Sequence, residues 1–334
     1  MPFAKMTDPP MVPPGQRTRA RPSTNRVAVS DQARSPVSVV VPTQFAWPAI
    51  KPFLDAIHPQ LVATRAELVI VDGTVDSSAL DRHHACSTLP SEQVRIVRSP
   101  GSDVFRMRAE GLVAANGQIV AITEDHCVPD PQYLASVLRA HEQYPEPAVA
   151  GAVINGTTRR LVDRVNFLLV HARNQPPRDS LPAPGWVPTP TNISYKRGAI
   201  PTDVPSRGWI ETVHNVVLLH ANQVVFDDRI VVRHFQSLGW LGTVKHHFHA
   251  GRSMGGLARS AIGSRCAQAR WALRSTPLLP AYLVRPIWQV QRTSTGRRAV
   301  LPLLPIAAAI SAADAVGFAC GVLAGPGRSA RAVG

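Results

Sequence analysis

Four short runs of aliphatic and β-branched residues, spaced so that a helix fits between each pair, limit what this chain can become. They are VSVVV (37–41), ELVIV (67–71), VRIVR (94–98) and QIVAI (118–122). The runs read as continuous rather than alternating, which predicts strands covered on both faces, as in a parallel sheet with helices packed on each side. The gaps support this, notably DVFRMRAEGLVAANG (103–117), which reads as a helix with Gly117 as its stop. The expected class is α/β, with a mainly parallel, Rossmann-like sheet.

In an open parallel sheet, ligands gather at the carboxyl ends of the strands. Here those ends read Pro42-Thr43, Asp72-Gly73, Ser99-Pro100-Gly101 and Thr123-Glu124-Asp125-His126. Polar or turn-forming residues at all four exits define one pocket mouth. No GxGxxG follows the first run and no P-loop pattern occurs, which disfavours the usual dinucleotide and nucleoside-triphosphate folds. Three ionisable groups side by side at 124–126 have two readings. One is a solvated turn shaped by Pro129 and Pro131; the other is a site for a divalent metal and a diphosphate.

Beyond residue 131 the pattern loosens. YLASVLRAHEQY (133–144) and TRRLVDRVNFLLVHARN (158–174) read as helices, QPPRDSLPAPGWVPTP (175–190) as a lid or binding loop, and QVVFDDRIVVRHF (223–235) as two short strands or one bent strand. Residues 1–36, rich in Pro, Arg, Ser and Thr, read as a disordered leader with no secretory signal. Four scattered cysteines form no CxxC pair, which argues against a disulfide framework or zinc ribbon and suits a reducing compartment.

The net charge of +14 is unevenly placed: twelve Arg and Lys residues and no acid lie between Asp228 and Asp314. Residues 299–325 then carry only Asp314 as a charge and are long enough to cross a hydrocarbon core; the readings are a membrane span, a re-entrant or interfacial helix, or a buried soluble helix. A basic block leading into such a segment points to an anionic membrane surface rather than nucleic acid, and no nucleic-acid motif or aromatic stacking ladder is present. The expected organisation is a leader (1–36), a catalytic domain (37–250), a basic membrane-surface segment (251–298), a hydrophobic membrane helix (299–325) and a tail (326–334).

Taken in order, these residues resemble a family. A first strand ending in Pro-Thr, a second ending in VDG, a fourth ending in an acidic triplet, and then TNISYKRGAI (191–200), GWIETVHNVVLLHANQVVF (208–226) and VVRH (231–234) are similar to the inverting family 2 glycosyltransferases of the GT-A fold. The resemblance covers about residues 37–250, and the basic stretch with a hydrophobic tail resembles membrane-associated members. It implies transfer of a sugar from a nucleotide-diphosphate donor, a UDP-sugar foremost, to the hydroxyl of a glycan, lipid-linked or other acceptor. It also implies a role in cell-envelope glycan or glycolipid synthesis, with the catalytic domain on the cytoplasmic side.

The resemblance also assigns roles. Glu124, Asp125 and His126 stand where the family carries Asp-x-Asp, and with His234 they would hold Mn²⁺ or Mg²⁺. Pro42, Thr43, Asp72, Arg108, Asp125 and Asn192 would contact the nucleotide sugar. Arg106 either shares the diphosphate with Arg108 or solvates a helix face. Glu211 would be the general base, although Thr212 replaces the acid that usually follows it. HHFH (246–249) lacks the spacing of a helical metal motif and is expected at a membrane interface. QARW (268–271) is one residue short of the Gln-x-x-Arg-Trp motif of processive synthases, so processivity is not inferred. Two other readings stay open: a non-catalytic nucleotide-sugar-binding relative, and a basic membrane- or nucleic-acid-binding scaffold on an α/β core.

Overall fold

The computed structural model describes residues 35–44, 47–75, 86, 88–157, 159–176, 186–203, 210–261, 264–275 and 301–332. The leader, most of the 175–190 loop and residues 276–300 lie outside the described residues.

The four runs form β1 (Val37–Thr43), β2 (Glu67–Asp72), β3 (Val94–Arg98) and β4 (Ile119–Thr123), all mutually parallel. α1 (Lys51–Thr64) connects the first two, beginning with a proline in its first turn and ending at Arg65 in a left-handed conformation (φ 53°). α2 (Val104–Ala114) precedes β4, and the Asp103 side chain accepts a hydrogen bond from the Arg106 amide at its N-terminus. Gly117 is not the helix stop expected from sequence, since the helix ends at Ala115. A Cβ on Gly117 would lie 2.4 Å from the Ser38 amide nitrogen, so the glycine is required by close approach to β1.

The second half departs from the mainly parallel expectation. It supplies β5 (Cys127–Pro129), α3 (Tyr133–Gln143), β6 (Ala148–Asn155), α4 (Leu161–His171), β7 (Asn192–Lys196), α5 (Ile210–His220) and β8 (Val224–His234). The sheet order is β3-β2-β1-β4-β7-β6-β8-β5. β7 runs antiparallel to β4 and β6, and β5 antiparallel to β8, while β6 and β8 are parallel. The 223–235 run is therefore one strand, which loops out residues 228–230 opposite the Gly151/Ala152 step. This topology brings the carboxyl ends of β1, β2, β3, β4, β6 and β8 and the amino ends of β5 and β7 to one edge.

Two apolar layers cover the sheet. Val37, Val39, Val41, Leu68 and Ile70 pack on α1 and α3, while Val40, Val69, Val71, Val120 and Ile122 pack on α2 with Trp186 and Tyr195. The edge strand β3 is the exception to two-sided burial: Arg95 and Ile96 are exposed and Arg98 is only partly covered, as its charged residues allow.

α6 (Gly239–Ala261) runs without a break through position 250, where a domain boundary was expected, and is followed by α7 (Arg265–Ser275). α8 (Leu304–Ala324) packs along α6 and, through Leu303, Ala307 and Ile310, against Val165 of α4. The contact is backbone to backbone: a Cβ on Gly251, Gly255, Gly317 or Gly321 would lie 2.0–2.1 Å from a carbonyl oxygen of the opposite helix. Leu301–Ala324 is long and apolar enough to cross a membrane. Its one acid is not left to lipid, because Asp314 Oδ2 lies 3.4 Å from His247 Nδ1, and His247 Nε2 pairs with Asn166 at 2.8 Å. Within HHFH, His247 is buried and His249 pairs with Ser329.

Candidate metal and nucleotide site

β4 delivers Glu124 to the carboxyl edge, and the turn into β5 delivers Asp125 and His126. The antiparallel β5–β8 ladder sets Cys127 opposite His234, and the Phe235 amide bonds the His126 carbonyl at 2.9 Å. This register brings His126 Nε2 to 3.1 Å from His234 Nε2. Glu124 Oε2 completes a triangle, at 3.4 Å from His126 Nε2 and 3.7 Å from His234 Nε2.

Asp125 differs from its expected role as a ligand. Its Oδ1 lies 2.9 Å from His126 Nδ1, a contact that orients the ring so that Nε2 faces the triangle. Asp125 therefore orients a ligand. Arg108 also serves another purpose than expected. It is buried on α2 and its Nη2 donates to Glu124 Oε1 at 2.8 Å, so it neutralises the carboxylate instead of facing an open diphosphate pocket. Arg106 is exposed and paired with Glu110 on the same helix, the solvated-face alternative.

The electrostatics follow from these contacts. Burial alone would push the Glu124 carboxyl up, but the positive charges of His126 and Arg108 outweigh it and hold the acid ionised, well below its ordinary range. Burial would push His126 down, yet its bond to Asp125 and the Glu124 charge keep it above the usual histidine value. Burial, followed by the neighbouring imidazoles His171 and His126, pushes His234 far down, so at neutral pH its ring is an uncharged donor of a lone pair.

Two histidines that sequence reasoning missed belong to this cluster. His171, at the end of α4, is buried with its ring centroid 4.7 Å from that of His234. His246 on α6 lies within electrostatic reach of Glu124 and His126. Neither carried a local signal, because α4 reads as an ordinary amphipathic helix and the 246–249 run has no ligand spacing. Cys127 Sγ also lies within 4.8 Å of donor atoms of Glu124 and His234, and burial raises its thiol pKa in the metal-free protein.

The remaining expected residues lie along the same edge. Pro42 and Thr43 end β1, and Thr43 Oγ1 is buried without a hydrogen-bond partner among the described residues, as is Ser99 Oγ at the exit of β3. Asp72 is fully buried between them; its Oδ1 accepts from the Thr74 amide at 2.9 Å and its Oδ2 is ion-paired with Arg98. Beside it opens a cavity of about 340 Å³ lined by Arg98, Ser99, Gly101, Asp103 and Arg331 among others. Asn192 opens β7 at this edge, paired with Thr123, but its amide nitrogen is engaged within the sheet. Its amide nitrogen donates to the Ala152 and Ile230 carbonyls at 2.8 and 3.0 Å, closing the irregularity between β6 and β8 where Gly151 leaves room for it. Glu211 falls in the first turn of α5, and its side chain lies outside the described residues.

A divalent cation fits this donor set: one ionised carboxylate oxygen and two imidazole nitrogens converge, with Asp125 and Arg108 holding two of them from behind. A carboxyl-edge site of this kind on a mixed sheet of this order defines the GT-A class. Residues 38–200 match the sequence model of glycosyl transferase family 2. Among solved structures it is similar to the mannosyltransferase PcManGT from Pyrobaculum calidifontis, solved with GDP-Man and Mn²⁺: 18% identity, TM-score 0.50, covering 84% of this chain and 86% of that one. S. aureus TarS 1–349 gives 12% identity and a TM-score of 0.47 over 86% and 90% of the two chains. Glucosyl-3-phosphoglycerate synthase from Mycobacterium tuberculosis, with Mn²⁺, UDP and glucosyl-3-phosphoglycerate, gives 17% and 0.42 over 68% and 82%. No curated protein matches the sequence.

Proposed function

We propose that this protein is a metal-dependent glycosyltransferase that moves a sugar from a nucleotide-diphosphate donor, a UDP-sugar foremost, to an acceptor hydroxyl with inversion. The observation that carries the reading is the convergence of Glu124, His126 and His234 at the carboxyl edge of a sheet that lies largely within the span matching the family 2 model, an edge that also carries two buried hydroxyls without hydrogen-bond partners among the described residues. Thr43 and Ser99 would take hydrogen bonds from the nucleotide, and Asp72 would fix Arg98 at the base side of the cavity. Glu124, His126 and His234 would hold Mn²⁺ or a similar ion, which when bound neutralises charge on the departing diphosphate.

Glu211 is assigned as the general base. It takes the proton of the acceptor hydroxyl as that oxygen attacks the anomeric carbon, and the bond from that carbon to the diphosphate breaks on the opposite face. The acceptor belongs to cell-envelope glycan or glycolipid synthesis, and α6 and α8 attach the catalytic domain to the cytoplasmic face of a membrane. The test is a thermal-shift panel of nucleotide diphosphates and their sugars with and without Mn²⁺, because a ligand that binds the native state raises its stability by mass action. Stabilisation by UDP or GDP that requires metal is expected, followed by turnover of the matching sugar that falls about 10²–10⁴-fold in Glu211→Gln. A panel with no stabilising nucleotide would overturn the assignment.

A further inference from the structure

We propose that the ion at this site is a borderline first-row transition metal bound through nitrogen, selected over Mg²⁺, with His171 as a fourth protein donor beside Glu124, His126 and His234. The inference rests on the reading of the Glu124 triangle as a metal site and goes beyond it in naming the ligands and the class of ion.

The geometry comes first. Metal–ligand distances near 2.0–2.1 Å give ligand–ligand edges of about 2.9 Å in an octahedral site and about 3.4 Å in a tetrahedral one. The three edges here, 3.1, 3.4 and 3.7 Å, fall around that range without side-chain rearrangement. Two of the three donors are imidazole nitrogens. Mg²⁺ favours oxygen and gives up water reluctantly, whereas imidazole suits Zn²⁺, Co²⁺ and Fe²⁺.

His171 extends the nitrogen set. It is 2% exposed, its ring lies against that of His234, and its Nδ1 has no hydrogen-bond partner among the described residues. Leaving a buried polar nitrogen unpaired is unfavourable, and coordination of a cation would satisfy it. Phe167 packs against both His171 and His234, which fixes the two rings relative to each other. Nothing in the sequence spacing joins positions 126, 171 and 234; α4 and the β5–β8 ladder do.

The experiment uses the full chain, stripped with chelator, and no nucleotide. Co²⁺ is titrated while its visible ligand-field absorption is followed, and Zn²⁺ or Mg²⁺ is then added. The expected result is a band that Zn²⁺ abolishes and that Mg²⁺ in about 100-fold excess leaves intact. His171→Ala should shift the band and weaken Co²⁺ binding by about 10–100-fold, and His171→Asn, which stays polar and close in size, should do the same if the alanine variant does not fold. Absence of a band, displacement of Co²⁺ by equimolar Mg²⁺, or an unchanged spectrum in both His171 variants overturns the proposal. Its failure is separable from that of the glycosyltransferase reading: metal-dependent nucleotide binding supported equally by Mg²⁺ would sink only this inference. A selective Co²⁺ site with no nucleotide binding would sink only the other.

Discussion

His126 and His234 stand 108 residues apart in the chain, yet their Nε2 atoms are 3.1 Å apart because a three-residue strand, β5, pairs antiparallel with the end of β8. The pairing converts a turn after β4 into a site, and Arg108 and Asp125 then set its charge and orientation. Each of these contacts makes a prediction that a single substitution tests.

Arg108→Leu should be costly because Arg108 is the cation paired with the Glu124 carboxylate. Removing one partner of a buried pair leaves the other charge uncompensated, a loss of roughly 3 kcal/mol. Arg108 and Glu124 side chains are 5% and 17% exposed, so screening by water is limited. Urea denaturation of the variant without added metal measures this. A loss below about 0.5 kcal/mol would show that the guanidinium is not what holds Glu124 ionised.

How much of this was legible beforehand depends on how local the cause is. β1 to β4 and their exits follow from runs of apolar residues, because strand burial is written in nearest-neighbour composition. The order of β5 to β8 is not, since it depends on which distant edges meet. For the same reason Glu124, His126 and His234 could be selected through a family resemblance while His171 could not. Nothing in the sequence around Asn192 shows that Gly151 leaves a hole for its amide. Gly117 likewise sits where a helix stop belongs, and only the path of β1 reveals the steric reason for it.

Asn192→Ala should lower stability and leave donor binding unchanged. The substitution strips hydrogen bonds from the buried Ala152 and Ile230 carbonyls, worth about 1–3 kcal/mol in all. Unfolding midpoints paired with nucleotide titration separate the two effects. A variant of native stability with weakened nucleotide affinity would restore Asn192 to the donor site.

Acid should destabilise the fold before any carboxylate titrates, and His141 isolates the effect. Its Nε2 lies 2.8 Å from Ser194 Oγ, and burial followed by the Lys196 charge pushes its pKa from 6.5 down to about 4. The unfolded chain binds the proton more readily between those values, so the contribution to stability is complete above about 6.5 and is lost as pH falls toward 4. The slope is at most about 1.4 kcal/mol per pH unit for one group. His171, His234 and His246 are depressed in the same direction and add to it. Urea unfolding at about pH 7 and pH 5 should show a smaller difference in His141→Gln than in the wild-type protein. Equal differences would mean that His141 is not neutral in the native state.

The docking of α8 rests on backbone contact, and this makes it unusually sensitive to one methyl group. A Cβ at Gly317 would lie 2.0 Å from the Phe248 carbonyl oxygen, and one at Gly321 would lie 2.1 Å from that of Arg252. These are backbone atoms of α6 and cannot swing aside, so Gly317→Ala forces the helices apart at a cost of about 1–3 kcal/mol. The separation would also stretch the Asp314–His247 contact, which covers the acid of α8. Because His246 and His247 occupy adjacent positions on α6, loosening α8 should be felt at the metal site as well as in the tail. Hydrogen exchange read by mass spectrometry should show faster exchange across 304–324 and the first half of α6 in Gly317→Ala, with β1 and β2 unchanged. Val316→Ala, one position away on the exposed face, is the control and should behave as wild type. If Gly317→Ala exchanges no faster than that control, α8 is not held on α6 by close approach, and its apolar packing against Val165 of α4 and against Ala258 and Ala272 must carry the docking.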